Sequence, residues 1–181
     1  MGYFNPIPEK KTAIDFVLKT ICDVIVVIAL ACFFIYFFCE KADVVGNSMS
    51  DEIVNGEVVL IDKMKYELRE PKRFDVIVYK IDDNINIKRI IGLPGEKIKI
   101  VDSTIYIDGK AIEDKYFEGN YESGYVDTEI EIGPDEYFVM GDNRNVSEDS
   151  RFTYVGNIKY EDIIGCAWFV ASPFNKLGFI D

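Results

Sequence analysis

Histidine is absent from the 181 residues. That absence removes the commonest general base, the commonest metal ligand and the usual pH switch, and with them Ser-His-Asp and Cys-His catalysis. Basic residues are scarce. Twenty lysines and arginines stand against 32 aspartates and glutamates, a formal net charge of −12, so the chain offers no basic face for nucleic acid. Cysteines are few and badly placed for cross-linking: Cys22, Cys32 and Cys39 fall in or beside an apolar N-terminal run, which leaves Cys166 alone in the remainder. Neither a disulfide framework nor a zinc cluster can be assembled there, and no metal or organic cofactor is expected. Cys166 itself, inside the apolar string Ile163 to Trp168, reads as a small buried side chain. Internal repeats, low-complexity tracts and interdomain linkers are also missing, and the length leaves room for one short anchor and one modest domain.

One long hydrophobic run is present. From Ile21 to Cys39 the chain reads ICDVIVVIALACFFIYFFC, with Asp23 its only charge; at about 1.5 Å per residue this spans roughly 28 Å, close to the hydrocarbon core of a bilayer. Lys10, Lys11 and Lys19 precede the run and only Lys41 closely follows it. The positive-inside bias therefore puts residues 1–20 in the cytoplasm, a single transmembrane helix at 21–39, and residues 40–181 outside the cell membrane. A cleaved secretory signal is the competing reading, but the run is long for that purpose and CEKADVVGNSM contains no small-residue cleavage site.

Beyond residue 43, short runs rich in β-branched and aromatic residues recur between turn residues, so the class is mainly β. Strands are expected at Glu57 to Asp62, Phe74 to Lys80, Ile85 to Ile91, Lys97 to Val101, Ile105 to Ile107, Glu136 to Met140 and Ile164 to Ala171. Asp108-Gly109 between alternating apolar residues predicts a hairpin. The polar stretch from Glu113 to Thr128 reads as an exposed insertion.

An enzyme without histidine needs another base. Lysine can serve when its charged form is made unfavourable by burial; at its ordinary pKa only about one in 2,500 is neutral at pH 7, and its pKa must fall by about 3 to be useful. Lys88 sits in an apolar strand between Ile87 and Ile90-Ile91, although an alternating strand can equally point such a lysine to water. Ser48 follows the membrane run in VVGNSM, where Gly46 permits close approach of a substrate backbone. The segment GDNRNVSEDSR, from Gly141 to Arg151, packs acids, arginines and hydroxyls into a loop after an apolar strand.

Together these segments resemble the bacterial type I signal peptidases. GDNRNVSEDSR is similar to that family's most specific signature, KRIIGLPGE to its lysine-bearing box, VVGNSM to its serine box, FDVIVY to its intervening strand and PFNKLG to its closing segment, all in order along the chain. The resemblance implies a β domain of coiled antiparallel sheets behind one transmembrane helix. It implies a membrane-bound serine endopeptidase in which Ser48 is the nucleophile and Lys88 the general base. Ser147 would hydrogen-bond and align the lysine, while Asp142, Arg144, Asp149 and Arg151 would brace the loop. The Ser48 backbone N–H would stabilise the oxyanion; some members add a hydroxyl two residues before the serine, where this chain has Gly46. Val44, Val45, Gly46, Met49, Ile53 and Ile87 are the candidate walls of the substrate pocket. Expected partners are precursor proteins with signal peptides, carrying small residues at the first and third positions before the cut and docking as an added strand, together with membrane lipid; metal and nucleic acid are not expected. Phe169, Phe174 and Phe179 are candidates for an interfacial patch.

The serine box departs from the family pattern, since Ser-Met-x-Pro-Thr is replaced by Ser48-Met49-Ser50-Asp51-Glu52. Losing proline frees the backbone, and two acids near the site bear on substrate choice and on the lysine pKa. A narrowly specialised member fits this. The alternatives are a non-catalytic relative acting as an assembly factor for surface structures such as pili, and a self-cleaving repressor, which would carry a DNA-binding module where this chain has a membrane run.

Overall fold

The computed structural model describes residues 13–50 and 52–180; Asp51, Lys10 and Lys11 lie outside them. The chain divides into two units after Phe38.

The first unit is one helix, α1 (Ala13–Phe38). Within it Ile14–Phe33 is long and apolar enough to cross a membrane, with mean hydropathy 2.4. The helix starts before the apolar run expected at Ile21, because Asp15 and Lys19 interrupt hydrophobicity but are compatible with helical backbone. Cys39, expected as the last membrane residue, opens a strand instead.

The second unit is mainly β. Its larger sheet runs in the order β1 (Cys39–Asp43), β2 (Val58–Asp62), β11 (Ile163–Ser172), β3 (Val76–Ile81), β4 (Asn84–Gly92), β9 (Glu136–Met140) and β10 (Ile158–Lys159), with β12 (Gly178–Phe179) paired to β11. A smaller sheet has the order β7 (Lys110–Ile112), β6 (Thr104–Ile107), β5 (Lys97–Val101) and β8 (Ile130–Glu131). All the pairings are antiparallel. Each of the seven expected strands is present within two residues of its expected ends. The Asp108-Gly109 hairpin forms between β6 and β7 with both residues at positive φ, 49° and 74°, the backbone that a two-residue hairpin of this kind demands.

Register shifts in β11 at Ile163/Gly165, Ala167/Phe169 and Val170/Ser172, and in β4 at Ile90/Gly92, bend the larger sheet, since each bulge adds local twist. Three apolar clusters fill the curved space. Met49, Ile53, Val59, Ile61, Val76, Val78 and Ile87 form one beneath the Ser48 loop; Ile91, Phe138 and Met140 meet Ile98, Ile100 and Ile105 of the smaller sheet in a second; Tyr66, Ile77, Tyr79, Val139 and Cys166 belong to the third. Cys166 is buried, as a small apolar side chain would be.

The segment expected as an exposed insertion is exposed at nine of its sixteen residues, and a few of its side chains anchor it to the rest of the domain. Val126 is fully buried, Asp114 pairs with Arg144, Tyr116 lies 3.5 Å from the Arg89 guanidinium, and Tyr121 faces both Arg144 and Arg151. Its polar residues face water while these tyrosine rings cover buried cations.

Candidate active site

Ser48 sits in a turn between β1 and β2, and Lys88 sits mid-way along β4. Strand β4 is paired to β3 from Asn84 to Arg89, opposite Ile81 to Val76, but to β9 only from Arg89 onward. Residues 84–88 thus keep one edge unpaired among the described residues. Strand β1 is at the end of the sheet order and likewise has one unpaired edge. The two edges face each other across a small pocket bounded by Asp43 to Gly46, Ser48, Met49 and residues 85–88, with about 40 Å³ of free volume. A groove of about 810 Å³ continues from it, sharing Asp43, Val45, Ile85 and Asn86 and adding Tyr79, Glu148 and Tyr154.

At the pocket floor Lys88 Nζ lies 2.6 Å from Ser48 Oγ. Lys88 is only 4% exposed. Burial pushes its pKa down to about 8, against the opposing pull of Asp149, Glu148 and Asp142; at pH 7 about a tenth of such amines are uncharged. In that form the serine hydroxyl donates to the nitrogen, and the pair has the geometry of a nucleophile and its base.

Of the expected pocket walls, Val44, Val45, Gly46, Met49 and Ile87 line the pocket. Ile53 does not. Its N–H donates to the Met49 carbonyl oxygen and its side chain is wholly buried in the core below, because the turn after Met49 directs it inward. Gly46 N–H donates to Asn55 Oδ1 at 3.0 Å.

The loop from Gly141 to Arg151 is built on buried ion pairs. Arg151 holds Asp149 through Nε at 2.8 Å and Nη2 at 2.9 Å, and also donates to the carbonyl oxygens of Arg144 and Glu122. Asp149 Oδ2 accepts the Gly141 N–H at 3.1 Å. Arg144 donates Nε to the Gly141 carbonyl oxygen and pairs with Asp114. Asp142 is held by Arg89, the neighbour of Lys88, through both carboxylate oxygens. Each buried arginine has its aspartate, the condition under which such charges are tolerated inside a domain.

Ser147 departs from expectation. It is buried, but its Oγ has no hydrogen-bond partner, so the expected bond to Lys88 is not formed. The hydroxyl lies instead against Gly141, where an added Cβ would collide with Ser147 Oγ and with the Ser48 carbonyl oxygen. That close approach explains why position 141 has no side chain.

Residues 17–172 match the family described as signal peptidase, peptidase S26. The chain belongs to this family. Among its signal peptidase relatives, the signal peptidase I of Bacillus licheniformis is 35% identical over 164 residues, which cover 85% of this chain and 88% of that protein. Signal peptidase I T of Bacillus subtilis (strain 168) is 33% identical over 164 residues, 85% of this chain and 84% of that protein. A solved structure, a signal peptidase I from Enterococcus faecalis V583, aligns at 29% identity with a TM-score of 0.46, covering 54% of this chain and 97% of that one.

Two residues that matter to this signal peptidase site escape a reading of the sequence. Arg89 looks like an ordinary strand cation beside Lys88, yet it is fully buried and bridges Asp142 to the Phe74 carbonyl oxygen. Asn143 looks like a turn residue, yet it reaches the Ser48 loop. Only the run of three ionisable or amide residues after Gly141 hints at either role.

Proposed function

We propose that this membrane-anchored endopeptidase of the signal peptidase family cuts signal peptides from exported precursors with Ser48 as nucleophile and Lys88 as general base. The observation that carries the reading is the 2.6 Å contact between Lys88 Nζ and Ser48 Oγ, with the amine buried. Neutral Lys88 takes the Ser48 proton as Oγ attacks the scissile carbonyl, then gives it to the leaving amine. The resulting ester is hydrolysed by water, whose proton passes to Lys88 and back to Ser48 as the acyl group leaves. The Ser48 N–H faces the oxyanion. No step requires a metal, an organic cofactor or nucleic acid.

The substrate segment joins as a strand between the unpaired edges of β1 and of residues 84–88 in β4. The pocket beside Ser48 and Lys88 is small, about 40 Å³, which suits small residues before the cut. Asp142, Arg144, Asp149 and Arg151 hold the loop rather than move protons.

Residues 1–20 are cytoplasmic, the apolar part of α1 crosses the cell membrane once, and residues 40–181 work outside it. The lysine asymmetry around the helix supports this orientation. Phe174 and Phe179, 88% and 75% exposed, with Phe169 packed against Phe179, suit contact with lipid. A non-catalytic assembly role is not favoured, because both members of the dyad are present and in contact.

The test is cleavage of a signal-bearing precursor by the full-length protein in detergent micelles. Ser48→Ala and Lys88→Ala are each expected to abolish processing with the domain still folded, and wild-type cleavage by either variant overturns the dyad.

A further inference from the structure

The loop carrying the nucleophile is a turn closed from outside by one side chain. Ser50 N–H donates to the Asn47 carbonyl oxygen at 3.2 Å, so Asn47 and Ser50 are the two ends and Ser48 and Met49 the two central residues. Asn143, 96 and 93 positions further along the chain from those ends, reaches both: its Nδ2 lies 3.1 Å from the Asn47 carbonyl oxygen and 2.7 Å from Ser50 Oγ. An amide nitrogen carries two hydrogens, so each acceptor receives one and the donor is fully used. The Asn143 main-chain N–H adds a third bond, 3.0 Å to the Ser48 carbonyl oxygen.

We propose that Asn143 is a positioning residue for catalysis, a staple that sets the angle of the Ser48 turn so that Oγ meets Lys88, with Ser50 as its side-chain anchor. This rests on the reading of Ser48 as the nucleophile. Proline, usual at the fourth position of the serine box, is replaced by Asp51 in this chain, so no pyrrolidine ring restricts the backbone there. The staple supplies that restriction from another part of the molecule. Asn143 is itself held, since its carbonyl oxygen accepts from the N–H groups of Val146 and Ser147 at 3.1 and 3.0 Å and the preceding Asp142 is gripped by Arg89. The buried ion pair on the lysine strand therefore fixes the donor that fixes the serine. A turn free to rotate by about an ångström loses its aligned Oγ, and misplacement of that size costs about a hundredfold in rate.

The experiment compares full-length Asn143→Ala, Ser50→Ala, Ser50→Thr and the Asn143→Ala/Ser50→Ala double variant on one signal-bearing precursor, with active sites counted by burst titration. Asn143→Ala is expected to lower kcat per active site about 10- to 100-fold, leaving KM within about twofold and the midpoint of the acid limb of the pH profile unchanged. Ser50→Ala is expected to lower kcat about threefold, and Ser50→Thr, which keeps the hydroxyl, to restore it. The double variant should be no slower than Asn143→Ala, because Ser50 acts through Asn143. Unchanged kcat per active site in Asn143→Ala overturns the proposal, even if fewer molecules are active; so do multiplying losses in the double variant. Should Asn143→Ala fail to fold, equal rates for Ser50→Ala and Ser50→Thr overturn it. Ser48→Ala serves as the separate control: retained activity there defeats the nucleophile reading, whereas its loss alongside a normal Asn143→Ala defeats only the staple.

Discussion

Arg89 grips Asp142 in a two-point ion pair, Nε to Oδ1 at 2.9 Å and Nη2 to Oδ2 at 2.7 Å, with both side chains essentially out of water. Lys88 is the preceding residue on the same strand and Asn143 the following residue on the loop. The two halves of the candidate site, the proposed base and the support of the proposed nucleophile, are therefore joined through neighbouring residues.

Breaking that pair leaves an uncompensated buried charge. Arg89→Ala is expected to destabilise the domain by about 3 to 5 kcal/mol, read as a lower midpoint in urea unfolding, and Arg89→Lys to recover little because an ammonium cannot make the two-point contact.

Lys88 costs the fold stability while charged. Its native pKa of about 8 lies below the ordinary 10.5, so the unfolded chain binds more protons between those values and stability rises with pH there. Lys88→Met removes the penalty, which is ~3 kcal/mol when fully present below pH 8. The inactive variant is therefore expected to unfold at higher urea than wild type at pH 7, with the gap closing as the pH approaches 10.5. A gap that stays constant with pH contradicts a buried amine.

Under the proposed mechanism activity follows the same group with the opposite requirement, for there it is the uncharged amine that works. The rate is expected to rise with pH through a midpoint near 8. Glu148, exposed and acting on Lys88 only through its charge, should hold that midpoint up, so Glu148→Gln is expected to move the limb to lower pH without lowering the plateau. A profile flat from pH 6 to 9 argues against a lysine base.

Gly141→Ala places a methyl group against Ser147 Oγ and the Ser48 carbonyl oxygen. The serine side chain can rotate, but the carbonyl is backbone, so Ser147→Ala is not expected to rescue it. Overpacking here should cost about 1 to 3 kcal/mol and most of the cleavage rate, measured on the precursor.

The interior strands were legible because VIVYKI and IKRII are β-branched runs that have no alternative to burial. The edges were not: β1 reads CEKAD, and its charges conceal a strand that water can touch. The helix boundary was obscured in the same way, Asp15 and Lys19 ending the apolar pattern before the helix ends. Within the site, Ser48 and Lys88 were visible through their motifs, and the loop acids and arginines as a charge-rich string. Their burial was not, since Arg144 and Arg151 are sheltered by Tyr121 from a segment whose composition suggests solvent. Asn143 was invisible for a different reason. Two of its acceptors are main-chain oxygens, which no residue type announces.

The facing free edges of β1 and residues 84–88 of β4 make a mould for a peptide main chain more than for any one side group. A ring-closed peptide already stretched into a strand surrenders less freedom on entering it than a linear chain does. Ligands that resist cleavage and occupy this channel longest should therefore be stiff, extended and backbone-rich, whatever small group they set against the serine.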